Sequence, residues 1–157
     1  MVLSEAEGFL KMARADLATA LESSDPARFR EAAWGFWLQQ AAEKGLKAWL
    51  HQLNLLPPRS HDLTRLLLML KAAGAPIDDY ESLERLTDNA VQFRYEFDLP
   101  PLALDRAEWN EKVEEFLNTV AFHLAGCASR CPVARQQRLE QEALAILRQA
   151  KREHEVL

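Results

Sequence analysis

Apolar residues recur every three or four positions along most of this chain, the spacing that gives an α-helix one buried face. Phe9, Met12, Ala13, Leu17 and Ala20 form the first such line, which predicts a helix from about Ser4 to Leu21. Ser4 and Glu7 head it as a capping box, hydroxyl and carboxylate each satisfying an exposed amide. Ser24-Asp25-Pro26 separates it from a long second helix, about Pro26 to Leu53, with Asp25 as N-cap and Pro26 at the tolerated first position. The apolar residues of this second helix, Phe29 and Trp34 through Leu46 and Trp49, cover more than one face. That pattern places it at the centre, touched by several neighbours. Gly45 lies in its interior at a cost of about 1 kcal/mol against Ala. A close helix–helix approach, a nearby ligand or simple tolerance each accounts for it.

Proline and glycine punctuate the rest. Pro57-Pro58 cannot continue a helix, so 55–59 is a loop, and Ser60 can cap a third helix running to about Ala73 with Leu63, Leu66, Leu67 and Leu70 buried. Gly74-Ala75-Pro76 ends it. A weaker fourth helix, Tyr80 to about Phe93, is lined by Leu83, Leu86, Ala90 and Phe93. After Pro100-Pro101 a fifth runs from about Asp105 to Ala125 through Trp109, Val113, Phe116, Val120 and Leu124, and a last one spans about Pro132 to Glu153. With no repeat and no linker, the expectation is an all-α bundle of five or six helices forming a single domain over residues 1–157.

Composition narrows the function classes. Apolar residues are 48% and charged residues 27%, a globular balance. The net charge of −5 argues against broad attachment to duplex DNA, which needs many cations on one surface, while leaving room for a local phosphate pocket. No segment approaches the roughly twenty apolar residues of a membrane helix. The opening residues carry acids where a signal peptide has lysines, so a cytoplasmic protein without membrane attachment is expected. Two cysteines, Cys127 and Cys131, do not make a disulfide framework. With His123 they step by four, yet a structural zinc site needs a fourth ligand and none is near, so neither metal nor cofactor is expected.

Three stretches resemble the HEPN family, helical proteins of higher eukaryotes and prokaryotes named for nucleotide binding. They are Ala41-Ala42-Glu43-Lys44-Gly45-Leu46-Lys47-Ala48-Trp49-Leu50, Pro58-Arg59-Ser60-His61-Asp62-Leu63 and Phe93-Arg94-Tyr95, the last with Glu96 where the family usually has proline. Order and spacing fit from about Ser4 to Ala125. The resemblance implies an antiparallel four-helix core, to which the chain's own apolar pattern adds an extra C-terminal helix, with frequent homodimers and pairing with a minimal nucleotidyltransferase in a toxin–antitoxin-like system. Some family members are metal-independent RNases that use an Arg followed after four to six residues by a His. Arg59 and His61 are too close for that motif. Arg148 and His154 fit it, but they lie beyond the aligned region near a terminus, where fixed catalytic geometry is hard to hold.

The candidate nucleotide- or RNA-binding residues are Lys44, Lys47, Arg59, His61, Asp62, Arg94 and Tyr95. His61 can contact a phosphate or exchange a proton; alternatively Ser60, His61 and Asp62 simply cap the third helix. Lys44 and Lys47, three apart, share a helix face and with Arg59, Arg65 and Arg94 can form a cationic pocket in which Glu43 orients a cation; the alternative is a solvated face of local ion pairs. Tyr95 can stack on a base or anchor a loop. The leading function is a nucleotide- or RNA-binding module of uncertain catalytic capacity. The alternatives are a metal-independent RNase toxin and a non-catalytic helical protein-interaction module.

Overall fold

A computed structural model of the chain describes residues 3–87 and 103–130, the side chains of 127–130 excepted. Contacts divide the chain into two compact units, Met1–Leu124 and Ala125–Leu157. The described residues contain α-helices α1 (Glu5–Glu22), α2 (Glu31–Gln52), α3 (Leu63–Ala72) and α4 (Arg106–Arg130), with a 3-10 segment at Asp78–Leu86 between α3 and α4. No strand occurs among them, and the fold is all-α as expected. The expected helix over 132–153, Arg148 and His154 lie outside the described residues.

The capping box forms at α1: Ser4 Oγ accepts from the Glu7 N–H at 3.2 Å and the Ser4 N–H donates to Glu7 Oε2 at 2.8 Å. Small residues, Ala6, Ala13 and Ala20 with Leu17, make up the buried side of α1. That lets its backbone come close to α2, against which it packs. Met12, expected in the buried line, is instead 45% exposed.

Helix α2 begins at Glu31 and not at Pro26. Asp25 does act locally: its side chain accepts from the Ala27 N–H, and its carbonyl takes the Phe29 N–H at 2.9 Å. This closes a single turn, after which extended Arg30 (φ −61°, ψ 147°) re-aims the chain before α2 starts. Helix α2 is central as predicted, with Trp34, Leu38, Leu46, Trp49 and Leu50 inaccessible or nearly so. It ends in a Schellman turn in which left-handed Asn54 (φ 58°) lets the Leu55 N–H return to the Leu50 carbonyl at 2.9 Å. Gly74 (φ 78°) closes α3 in the same way, with Ala75 N–H to Leu70 carbonyl at 3.0 Å.

The N-cap of α3 is Asp62 and not Ser60. The Asp62 carboxylate accepts from the Thr64 and Arg65 N–H groups, while Ser60 Oγ takes the Asp62 N–H. A carboxylate complements the helix dipole better than a hydroxyl does, which favours the later start. The predicted stripe Leu63, Leu66, Leu67 and Leu70 is buried. Where an α-helix from Tyr80 was expected, the chain takes the tighter 3-10 form from Asp78 to Leu86, still burying Leu83 and Leu86; residues 88–93 lie outside the described ones.

Helix α4 closes the core. Gly45 is explained by close approach: a Cβ there would lie 2.5 Å from Leu117 Cδ2 and 2.6 Å from Phe116 Cε1. Polar groups fix the register of this contact. Trp34 Nε1 donates to Asn110 Oδ1 at 2.8 Å, and Asn110 Nδ2 donates to Ser24 Oγ at 2.7 Å. Arg106 reaches the turn between α1 and α2, donating to the Ser23 and Phe29 carbonyls at 3.0 and 2.9 Å. Three of the four tryptophans, Trp34, Trp49 and Trp109, are core residues, and Trp37 packs partly buried against them.

Candidate functional site

Residues 39, 43 and 47 follow one another at four-residue steps and therefore stack along one line of α2. On the buried surface of α2 that line is Gln39, Glu43 and Lys47. The loop after α2 folds back across it and delivers His61. The Glu43 side chain is only 5% exposed, so its charge requires partners. It has three. Lys47 Nζ donates to Oε1 at 2.7 Å, Gln39 Nε2 donates to Oε2 at 3.1 Å, and His61 Nδ1 lies 3.0 and 3.1 Å from the two oxygens. Gln39 Nε2 also donates to the His61 carbonyl at 3.2 Å, tying the loop backbone to α2. Gln40 in turn donates to Gln39 Oε1 and sets the orientation of that amide.

Burial alone would raise the Glu43 pKa, but the hydrogen bonds from Lys47, His61 and Gln39 together with the Lys47 charge outweigh it and hold the carboxyl below its ordinary value. Glu43 is thus ionised at neutral pH and can only accept hydrogen bonds. His61 Nδ1 must therefore be the donor, and in the neutral ring the Nε2 lone pair is the free one. The ring is 67% exposed while Lys47 is 12% exposed. The arrangement is a buried carboxylate holding an imidazole whose outer edge faces solvent. Such an edge accepts a proton or hydrogen bond when neutral and donates to an anion when protonated.

The other candidates separate. Lys44 pairs with Asp16 of α1, so the two lysines turn to different neighbours and each meets a carboxylate. Asp62 serves as the α3 cap. Arg59 and Arg65 are exposed on either side of His61 in the chain. Arg94 and Tyr95 lie outside the described residues. Glu43 does pair with Lys47, a contact that both the cationic-pocket reading and the local-ion-pair alternative expect. Gln39 and the Glu43–His61 contact were not anticipated; the one signal for them was a polar line along a helix that is buried all round. His123 stacks on Trp49 at 4.7 Å between ring centroids, which gives that ring a packing role. Among the described residues no cluster of three His, Cys, Asp or Glu side chains could hold a metal, and no helix is long and apolar enough to cross a membrane. The side chains of Cys127 and Cys131 lie outside the described residues.

Fold and site together define a helical domain whose central helix holds, through a buried carboxylate, a solvent-facing imidazole carried by the loop before α3. The HEPN domain matches residues 6–123, most of the chain, and the chain belongs to the HEPN family. It is also similar to the crystal structure of TT1696 from Thermus thermophilus, with a TM-score of 0.62 and 25% identity over 77% of this chain and 99% of that one. No relative was found among curated proteins. Family membership supports a nucleotide- or RNA-related function in general.

Proposed function

We propose that this HEPN protein is a cytoplasmic binding module that recognises a phosphate of a nucleotide or RNA at the His61 edge. The reading rests on one observation: a buried, fully partnered Glu43 holds His61 in place while the ring stays 67% exposed. A capping role for 60–62 accounts for Asp62 and Ser60 but gives no reason to fasten an exposed imidazole to a buried carboxylate. With Lys44 and Lys47 matched by Asp16 and Glu43, His61, Arg59 and Arg65 supply the cationic or donor groups left for a ligand. A site with so few charges binds with modest affinity and modest salt dependence. Arg94 and Tyr95 complete the proposed binding set. In line with the family, the assembly we infer is a homodimer working with a minimal nucleotidyltransferase, in a toxin–antitoxin-like pair.

The same oriented imidazole also supports a second reading, acid–base chemistry on RNA without a metal. Titrating ATP and a short single-stranded RNA at low and physiological salt, with His61→Ala and Arg59→Ala beside wild type, separates the readings. The binding module requires saturable binding that weakens about tenfold or more in His61→Ala, with RNA intact on a gel. Cleavage that disappears with His61 makes the protein an RNase. Equal affinity in wild type and His61→Ala removes the site from the account.

A further inference from the structure

A second surface, between α3 and the 3-10 segment, forms a cleft of about 180 Å³ lined by Thr64, Leu67, Leu68, Lys71, Glu81 and Glu84. Leu67 and Leu68 are its apolar lining among polar neighbours, and Leu68 is 61% exposed there. The volume decides the ligand class. Drug-sized ligands and cofactors occupy pockets of roughly 300–1,000 Å³, whereas a cavity near 150 Å³ holds a benzene. This cleft therefore takes one large apolar side chain.

Charge selects its neighbours. Lys71 is committed to the acids at its own rim, with Glu81 and Asp78 as ion-pair partners. Arg85 and Lys112 lie over the Trp109 ring at 5.4 and 4.7 Å from its centroid. Glu84 is consequently left on the cleft wall without an ion-pair partner among the described residues. The two leucines and this unmatched carboxylate complement a segment that carries a cation beside an apolar anchor. We propose that the α3 cleft docks a protein partner through a basic amphipathic segment, one large apolar side chain resting on Leu67 and Leu68 and a lysine or arginine pairing with Glu84.

The test uses the full chain and two synthetic helical peptides, one of leucine and lysine and one with the same leucines and glutamate for lysine. The proposal requires the leucine–lysine peptide to shift the Leu67 and Leu68 methyl resonances. Its affinity should fall about tenfold or more in Leu68→Ser and in Glu84→Lys, and less than about threefold in Glu22→Lys, which makes the same charge change on exposed α1. An equal loss in Glu22→Lys would reduce the effect to general attraction to an acidic protein and overturn the proposal. Comparable binding of the leucine–glutamate peptide would do the same. So would self-association of the free chain that Leu68→Ser abolishes, since the occupant would then be a second copy.

Discussion

Helix α2 presents two faces of opposite character. Toward α4 it offers Trp34, Gly45 and Trp49, a dry surface in which Gly45 brings the backbone against Phe116 and Leu117 and Trp49 lies within reach of the Phe116 ring. Toward the loop before α3 it offers Gln39, Glu43 and Lys47, a buried polar line that needs His61 to complete it. The first face derives its stability mainly from area and shape, with the buried Trp34–Asn110 hydrogen bond fixing its register. The second surrounds a charge whose desolvation is offset only while each partner stays in place, and replacing such groups by apolar ones is often neutral or stabilising. On the proposed function, what the second arrangement supplies is an imidazole fixed at the surface.

That comparison orders the expected effects. The largest belongs to the dry face: Trp34→Ala removes a fully buried indole at about 3–5 kcal/mol and also strips the buried Asn110 carbonyl of its donor. Urea unfolding measures it. Gly45→Val comes next, near the top of the about 1–3 kcal/mol typical of overpacking, because Phe116 and Leu117 are themselves enclosed. A loss below about 0.5 kcal/mol would show that α4 yields easily, and the contrast between the faces would weaken.

The polar face should respond less, and in a pH-dependent way. Glu43→Ala is expected to cost about 1–3 kcal/mol, less than a fully enclosed ion pair, because Lys47 and His61 retain access to water. The Glu43 pKa is depressed in the folded chain from an ordinary 4.5, so its contribution is complete above that value and declines as the pH falls below it toward the folded pKa. The stability gap between wild type and Glu43→Gln should therefore be present near neutral pH and narrow in acid. A gap that widened in acid would contradict the assigned direction. The smallest change in stability is expected of the paired replacement Glu43→Leu/Lys47→Met, within about 1 kcal/mol of wild type, with ligand binding nonetheless lost.

The two faces also differed in how far they could be read beforehand. Period and caps placed most helix boundaries well: α1 and α4 begin next to Ser4 and Asp105, α3 stops before Gly74 and its leucine stripe is buried, whereas α4 runs on to Arg130, beyond the expected end at Ala125. The start of α2 shifted because the Asp25-Pro26 signal, real in itself, closes one turn and then gives way at Arg30. The polar face was harder. Periodicity assigns charged residues to solvent, and whether Glu43 is buried depends on where a loop 18 residues later comes to rest. Lys44 and Lys47 looked alike in sequence, yet α1 supplies Asp16 to one and α2 supplies Glu43 to the other.

The state of the His61 ring is read directly by nitrogen-detected NMR of the imidazole. With Nδ1 donating to Glu43, the neutral ring should carry its proton on Nδ1. Adding AMP or a short RNA should shift the Nε2 resonance, and Glu43→Gln should relax the tautomer preference and weaken the ligand response. A ring protonated on Nε2, or one whose nitrogens ignore the ligand, would contradict the claim that Glu43 holds His61 for phosphate recognition.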